Sequence, residues 1–183
     1  GHSMGGLLAR SACYYGELAG HAWPRYLHKI VFLGTPHHGT TFERGGNWVT
    51  LALDTSSYTA AFARLGRIRS AGITDLRFGQ VLPPAAEDRF APGSGRGAPL
   101  PLPRGVACYA VAATLSKGPE PAPALRAIAP LATAKTVLGD GLVPLASALG
   151  DATEPARSLA IPEERRYVSY GTSHLDLLDR PEI

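Results

Sequence analysis

An α/β fold, with a mostly parallel sheet flanked by helices and a helical insert, is predicted by three features of this 183-residue chain. Short apolar runs of strand length occur at 29–33, 105–114 and 166–170. Helix-like stretches lie between and around them, at 5–18, at 122–136 and from 173 onward. Clusters of Gly and Pro separate the two kinds of segment. Strands that alternate with helices pair in parallel, because each crossover returns the chain to the same end of the sheet.

The first helix, 5–18, draws its apolar face from Leu7, Leu8, Ala12, Tyr15 and Leu18, and Gly16 and Gly20 suit its end. The run K-I-V-F-L at 29–33 is nearly continuous, which predicts a strand buried on both faces. Gly34-Thr35-Pro36-His37-His38-Gly39 breaks it into a loop. Helix is expected at 48–53 and 57–68, with a further turn at 74–78. Trp48, Leu51, Leu53, Tyr58 and Phe62 would give these helices an apolar inner face. Residues 83–103 are rich in Pro, Gly and Ala and read as an exposed connection. The whole stretch 40–103 is too long for a simple crossover and is expected to form a lid or cap. The second strand follows at 105–114, then a helix at 122–136 that Pro130 kinks or breaks, and a third strand at 166–170. A last helix begins at 173–178 with Ser173 as its N-cap. The chain therefore reads as one domain over 1–183 with an insert at 40–103, and it contains no internal repeat.

Composition narrows the function classes. Hydrophobic residues make up 45% and charged residues 18%, as in a globular domain with a real core. No run approaches the roughly 18 apolar residues of a membrane span. Net charge is +3, but the arginines are scattered, with Arg64, Arg67 and Arg69 in one segment and Arg165 and Arg166 in another. Without a basic block or interleaved aromatics, nucleic acid is not an expected partner. Cys13 and Cys108 read as buried free thiols, since neither has a second Cys or His at ligand spacing. No signal peptide is visible, and residue 1 is a Gly inside a motif. The chain is thus expected to be the later part of a longer protein whose compartment the sequence leaves open.

That motif is Gly1-His2-Ser3-Met4-Gly5, a G-x-S-x-G nucleophile elbow. The elbow holds a serine on a strained strand-to-helix turn, and its flanking glycines let strand and helix approach each other. The following helix directs its N-terminus, with its free N–H groups and positive dipole end, at the site. Met4 N–H is then an oxyanion donor. With 21 glycines among the 183 residues, about 0.15 such matches arise by chance around the 11 serines, so the motif alone carries moderate weight.

A serine hydroxyl needs a base, and after an elbow the order along the chain is serine, acid, histidine. Of the six histidines, His2, His21, His28, His37, His38 and His174, only the last follows a late strand, four residues beyond Tyr170. The acid is expected at Asp140, where Gly139 and Gly141 permit an unusual backbone and close approach. It would accept the imidazole N–H and stabilise the imidazolium. Asp151 and Glu154 lie in a polar, loop-like stretch, and Asp176 follows the histidine. His37 and His38 are adjacent, a poor spacing for one metal ion, and no metal or other cofactor is expected. His2 is taken as structural, pointing away from the nucleophile.

Taken together, Gly1-His2-Ser3-Met4-Gly5-Gly6, Leu33-Gly34-Thr35-Pro36-His37-His38-Gly39, Asp140-Gly141-Leu142-Val143-Pro144 and Ser173-His174-Leu175-Asp176-Leu177-Leu178 resemble the serial landmarks of lipase-like α/β-hydrolases. Hydrolases similar to the GPI inositol-deacylase domain, together with true lipases, are the nearest likeness. The resemblance implies part of an α/β-hydrolase fold that begins at the elbow. It also implies ester hydrolysis through an acyl-enzyme, with Ser3, Asp140 and His174 at the triad positions. Its expected substrate is a small ester or a lipid, with peripheral contact to a lipid surface as a corollary. In that family the second oxyanion donor comes from an earlier loop that this chain does not contain. Two other readings stand beside it: acyl transfer to an alcohol or amine by the same triad, and a non-catalytic hydrolase-fold fragment or binding module.

Overall fold

The computed structural model describes residues 1–39, 100–119 and 139–181. Three strands, β1 (Lys29–Leu33), β2 (Ala107–Thr114) and β3 (Arg166–Tyr170), form a parallel sheet in the order β1-β2-β3. All three expected strands are present, β2 starting two residues inside the predicted run. The helices expected at 48–53, 57–68, 74–78 and 122–136 lie outside the described residues, as does the insert from 40 to 99.

Gly1 and His2 run along the open side of β1. Leu33 N–H donates to Gly1 O at 2.9 Å, and Ser3 N–H to Leu33 O at 2.9 Å. The Gly1 amino group donates to Val31 O at 2.7 Å. This pairing is parallel, so the residues entering the elbow occupy the next strand position of the sheet.

Side chains alternate across the sheet. One face carries Ile30 and Phe32 of β1 and Cys108, Ala110 and Ala112 of β2, all buried. Helix α1 (Met4–Leu18) packs there through Cys13, and a short helix α2 (Leu145–Leu149) through Ala148. Leu159 and Ile161 close over Ala110. The opposite face holds a smaller cluster of Val111, Ala113 and Leu177, with Leu33 at its side. β1 is not buried on both faces as its apolar run suggests: Val31 is 42% exposed. Cover on one face is enough to hold this strand, because its backbone bonds are satisfied by β2 and by Gly1–His2 on its two sides.

The orientation of α1 also differs from expectation. Its buried stripe is Gly6, Leu7, Arg10, Cys13 and Gly16. Leu8 and Leu18 are 69% and 71% exposed, and Ala12 and Tyr15 face outward as well. Small residues decide this. A Cβ on Gly6 would stand 2.1 Å from Thr35 Oγ1, and one on Gly16 would stand 2.8 Å from the Trp23 ring. Close approach of the helix to Thr35 and to Trp23 is worth more here than burying the longest aliphatic stripe. Gly16 therefore lies inside the helix, while Gly20, at φ 68°, follows its end.

The last expected helix contracts to a 3-10 turn at Asp176–Leu178. Ser173 and Asp176 still exchange the reciprocal bonds of a capping box. His174 N–H, which a helix starting at Ser173 would leave without an internal partner, donates to Asp140 O at 3.0 Å. No helix among the described residues is long and apolar enough to cross a membrane.

The two elbow glycines that follow the serine should behave oppositely. No described atom lies within 4 Å of a Cβ on Gly5, so Gly5→Ala should gain roughly 0.5–1 kcal/mol from helix propensity. Gly6→Ala presses on the fully buried Thr35 and should cost about 1–3 kcal/mol by overpacking. Chemical denaturation of the two variants reads the difference, and equal effects would refute this packing.

Candidate active site

Ser3, Asp140 and His174 come from three separate strand ends. Ser3 follows the Gly1–His2 segment directly. Asp140 sits at the carboxyl end of β2, because Leu115 N–H donates to Gly139 O at 3.1 Å. His174 follows β3 after a turn braced by a 2.8 Å bond between the Ser169 and Thr172 hydroxyls. The carboxyl ends of parallel strands are where an open α/β sheet offers a crevice.

The elbow has the strained backbone its motif calls for. Ser3 has φ 54° and ψ −130°, and among the described residues it is the one non-glycine with positive φ. That conformation costs on the order of 1–3 kcal/mol and persists only where its surroundings impose it. The imposing contacts are the pairing of Gly1–His2 with β1 and the close approach of Gly1 to Gly6, where a Cβ on Gly1 would lie 3.0 Å from the Gly6 Cα. Gly6, one step beyond the motif, is thus the glycine the turn needs. Met4, as the first residue of α1, has an N–H with no partner inside the helix.

Asp140 and His174 form a buried pair. His174 Nδ1 donates to Asp140 Oδ2 at 2.6 Å, and both side chains are almost wholly buried. Asp140 Oδ1 accepts Leu142 N–H at 3.0 Å and Val143 N–H at 2.8 Å. Three donors therefore compensate a carboxylate removed from water. The loop allows this through its glycines: Gly141 has φ 97°, and a Cβ on Gly139 would lie 1.8 Å from Val143 O. With Nδ1–H given to the carboxylate, the neutral ring keeps Nε2 as its free acceptor. Among the described residues no hydrogen bond joins Ser3 Oγ to that ring; such contacts commonly tighten only once substrate is bound.

Sequence reasoning missed two residues here. Gly34, at φ 53°, lies directly against the pair, where a Cβ would come within 3.1 Å of both Asp140 Oδ2 and His174 Cε1. Its signal was a glycine at a strand end. His2 packs against His174, a contact the sequence reading did not anticipate. Its Nε2 lies 3.0 Å from His174 O, and its ring centroid lies 4.6 Å from that of His174. Burial lowers its pKa, opposed in part by the bond to His174. No sequence spacing reveals a contact between positions 2 and 174.

The adjacent His37 and His38 diverge. His38 Nε2 donates to Gly150 O at 3.0 Å. His37 stands edge-on to Phe32, accepts from Arg10 at Nδ1 over 3.3 Å, and leaves Nε2 without a partner. Arg10 also donates to Leu100 O, and burial lowers its pKa to about 10. Cys13 and Cys108 are free and buried, as expected, and burial raises both thiols. Asp151 pairs with Arg166 at 2.9 Å, away from the histidine.

Comparison with family models matches residues 1–86 to the PGAP1-like alpha/beta domain, a family of GPI inositol-deacylase-like α/β hydrolases. The matched segment contains Ser3 but neither Asp140 nor His174. No curated protein matches the chain.

His37 should leave a mark on stability. Burial, then the Arg10 and His38 charges, hold its pKa well below the ordinary 6.5, so the unfolded chain binds a proton that the folded chain does not. Its contribution is complete above pH 6.5 and shrinks as pH falls from there toward the folded value. His37→Asn keeps an acceptor for Arg10 without titrating. Its Tm should fall less steeply than that of the wild type between pH 7 and pH 5, and parallel curves would exclude this linkage.

Proposed function

We propose that the chain carries the triad of a serine hydrolase that cleaves carboxylic esters through an acyl-enzyme, taking the PGAP1-like match at residues 1–86 as the premise. The observation that carries this reading is the buried 2.6 Å Asp140–His174 bond at the same end of the sheet as the strained Ser3 turn.

Each residue has a definite task. His174 Nε2 removes the Ser3 hydroxyl proton as Oγ attacks the ester carbonyl carbon. The tetrahedral oxyanion is met by Met4 N–H and by the positive end of α1. The intermediate collapses with loss of the alcohol, which takes the proton from His174. Water then attacks the acyl-serine by the same sequence, and the acid is released. Asp140 holds the imidazole in the productive tautomer and stabilises the imidazolium without taking its proton. Met4 beside Ser3 and Leu175 beside His174 are both exposed and apolar, which favours a substrate with a hydrophobic acyl group.

A fluorophosphonate probe should label the protein at Ser3, and Ser3→Ala should abolish the label. Asp140→Asn should leave the fold intact and lower kcat by about 10⁴-fold, because the ring is then presented in the wrong tautomer. A folded protein that takes no label, or an Asp140→Asn variant with unchanged kcat, would remove the triad assignment.

A further inference from the structure

We infer that His2 is a positioning residue for His174, the hydrogen-bonded strut that sets the base relative to the nucleophile. The inference rests on the hydrolase reading above and adds a residue to it. His174 is fixed to the acid twice, by its main-chain N–H on Asp140 O at 3.0 Å and by Nδ1 on Oδ2 at 2.6 Å. Those bonds orient the ring relative to Asp140 but say nothing about its distance from Ser3. Among the described residues, the only hydrogen bond from the elbow or α1 to the 171–178 segment is that of His2 Nε2 to His174 O, at 3.0 Å. A carbonyl only accepts, so Nε2 carries the proton. His2 is also the immediate neighbour of Ser3, and its backbone is locked into the sheet through the pairing with Leu33. One residue thus spans from the nucleophile's own turn to the main chain of the base.

Ring packing supports the same role. The His2 and His174 rings stand 4.6 Å apart with their planes tilted by 41°. The ionisable groups facing His2 among the described residues are His174, Asp140 and the Gly1 amino group. Burial disfavours a second proton on His2 and the bond to the His174 carbonyl favours one; the smaller charge effects of His174 and the amino group oppose that of Asp140, and the net direction is downward. A neutral His2 leaves room for the positive charge that His174 acquires in each half-reaction. A ring or amide in its place would pack, but only a donor at the Nε2 position also ties down the His174 carbonyl.

The test compares three substitutions in the whole protein. His2→Gln places an amide N–H near the Nε2 position, His2→Phe keeps a ring without a donor, and His2→Ala removes both. Rates of fluorophosphonate labelling at Ser3, kcat and KM on a soluble ester, the pH profile of kcat/KM, and Tm are read together. The Phe and Ala variants should lose on the order of 10²-fold in kcat with KM little changed, as expected when a reacting group is displaced by about 1 Å. The acidic limb of their pH profile should shift, and the Gln variant should recover most of the rate. Wild-type kcat and pH profile in the Phe variant would overturn the inference. So would a Gln variant no better than Phe, or Phe and Ala variants that both fail to fold, which would make His2 a packing residue only. Absence of labelling in the wild type brings down the hydrolase reading, and this inference with it. Labelling of the wild type with unaffected His2 variants brings down this inference alone.

Discussion

Asp140 is the point at which the separate strand ends become one site. Its carbonyl and one carboxylate oxygen both serve His174, and its other oxygen gathers Leu142 and Val143. Gly139, just before it, accepts from Leu115 at the end of β2. The end of β2, the acid loop and the segment after β3 are therefore tied through one buried carboxyl group. Such a group is costly to bury without partners and stabilising to the arrangement once its acceptors are filled.

The other half of the site depends on close backbone approach. The elbow holds Ser3 at positive φ because Gly1 and Gly6 let strand and helix come together and Thr35 fills the space beside them. This tight approach also turns Gly6, Cys13 and Gly16 of α1 inward together with Leu7 and Arg10, at the expense of Leu8 and Leu18. Local strain at the serine and an outward-facing aliphatic stripe are two results of one packing constraint. Gly34 extends it to the Asp140–His174 pair, where even a methyl group would press on both side chains.

His2 links the two halves. The Ser3 half is fixed by sheet pairing and glycine packing, the His174 half by hydrogen bonds to Asp140. The bond from His2 to the His174 carbonyl joins them across the top of β1. Arg10 and His37, buried behind the elbow, hold the loop after β1 at the cost of unpaired N–H groups.

By itself the sequence determined the three strands, the helix after the elbow, and the identity of Ser3, Asp140 and His174 as candidates. Those features are local: an apolar run of strand length, a G-x-S-x-G turn, an aspartate between glycines, a histidine after the last strand. The family match covers residues 1–86. Tertiary structure decided which face of α1 is buried, because hydropathy counts aliphatic residues while packing depends on how closely two backbones can approach. It also decided the single-sided cover of β1 and the contacts of Gly34 and His2. Each of these turns on a contact between residues far apart in the chain, and periodicity carries no information about such partners.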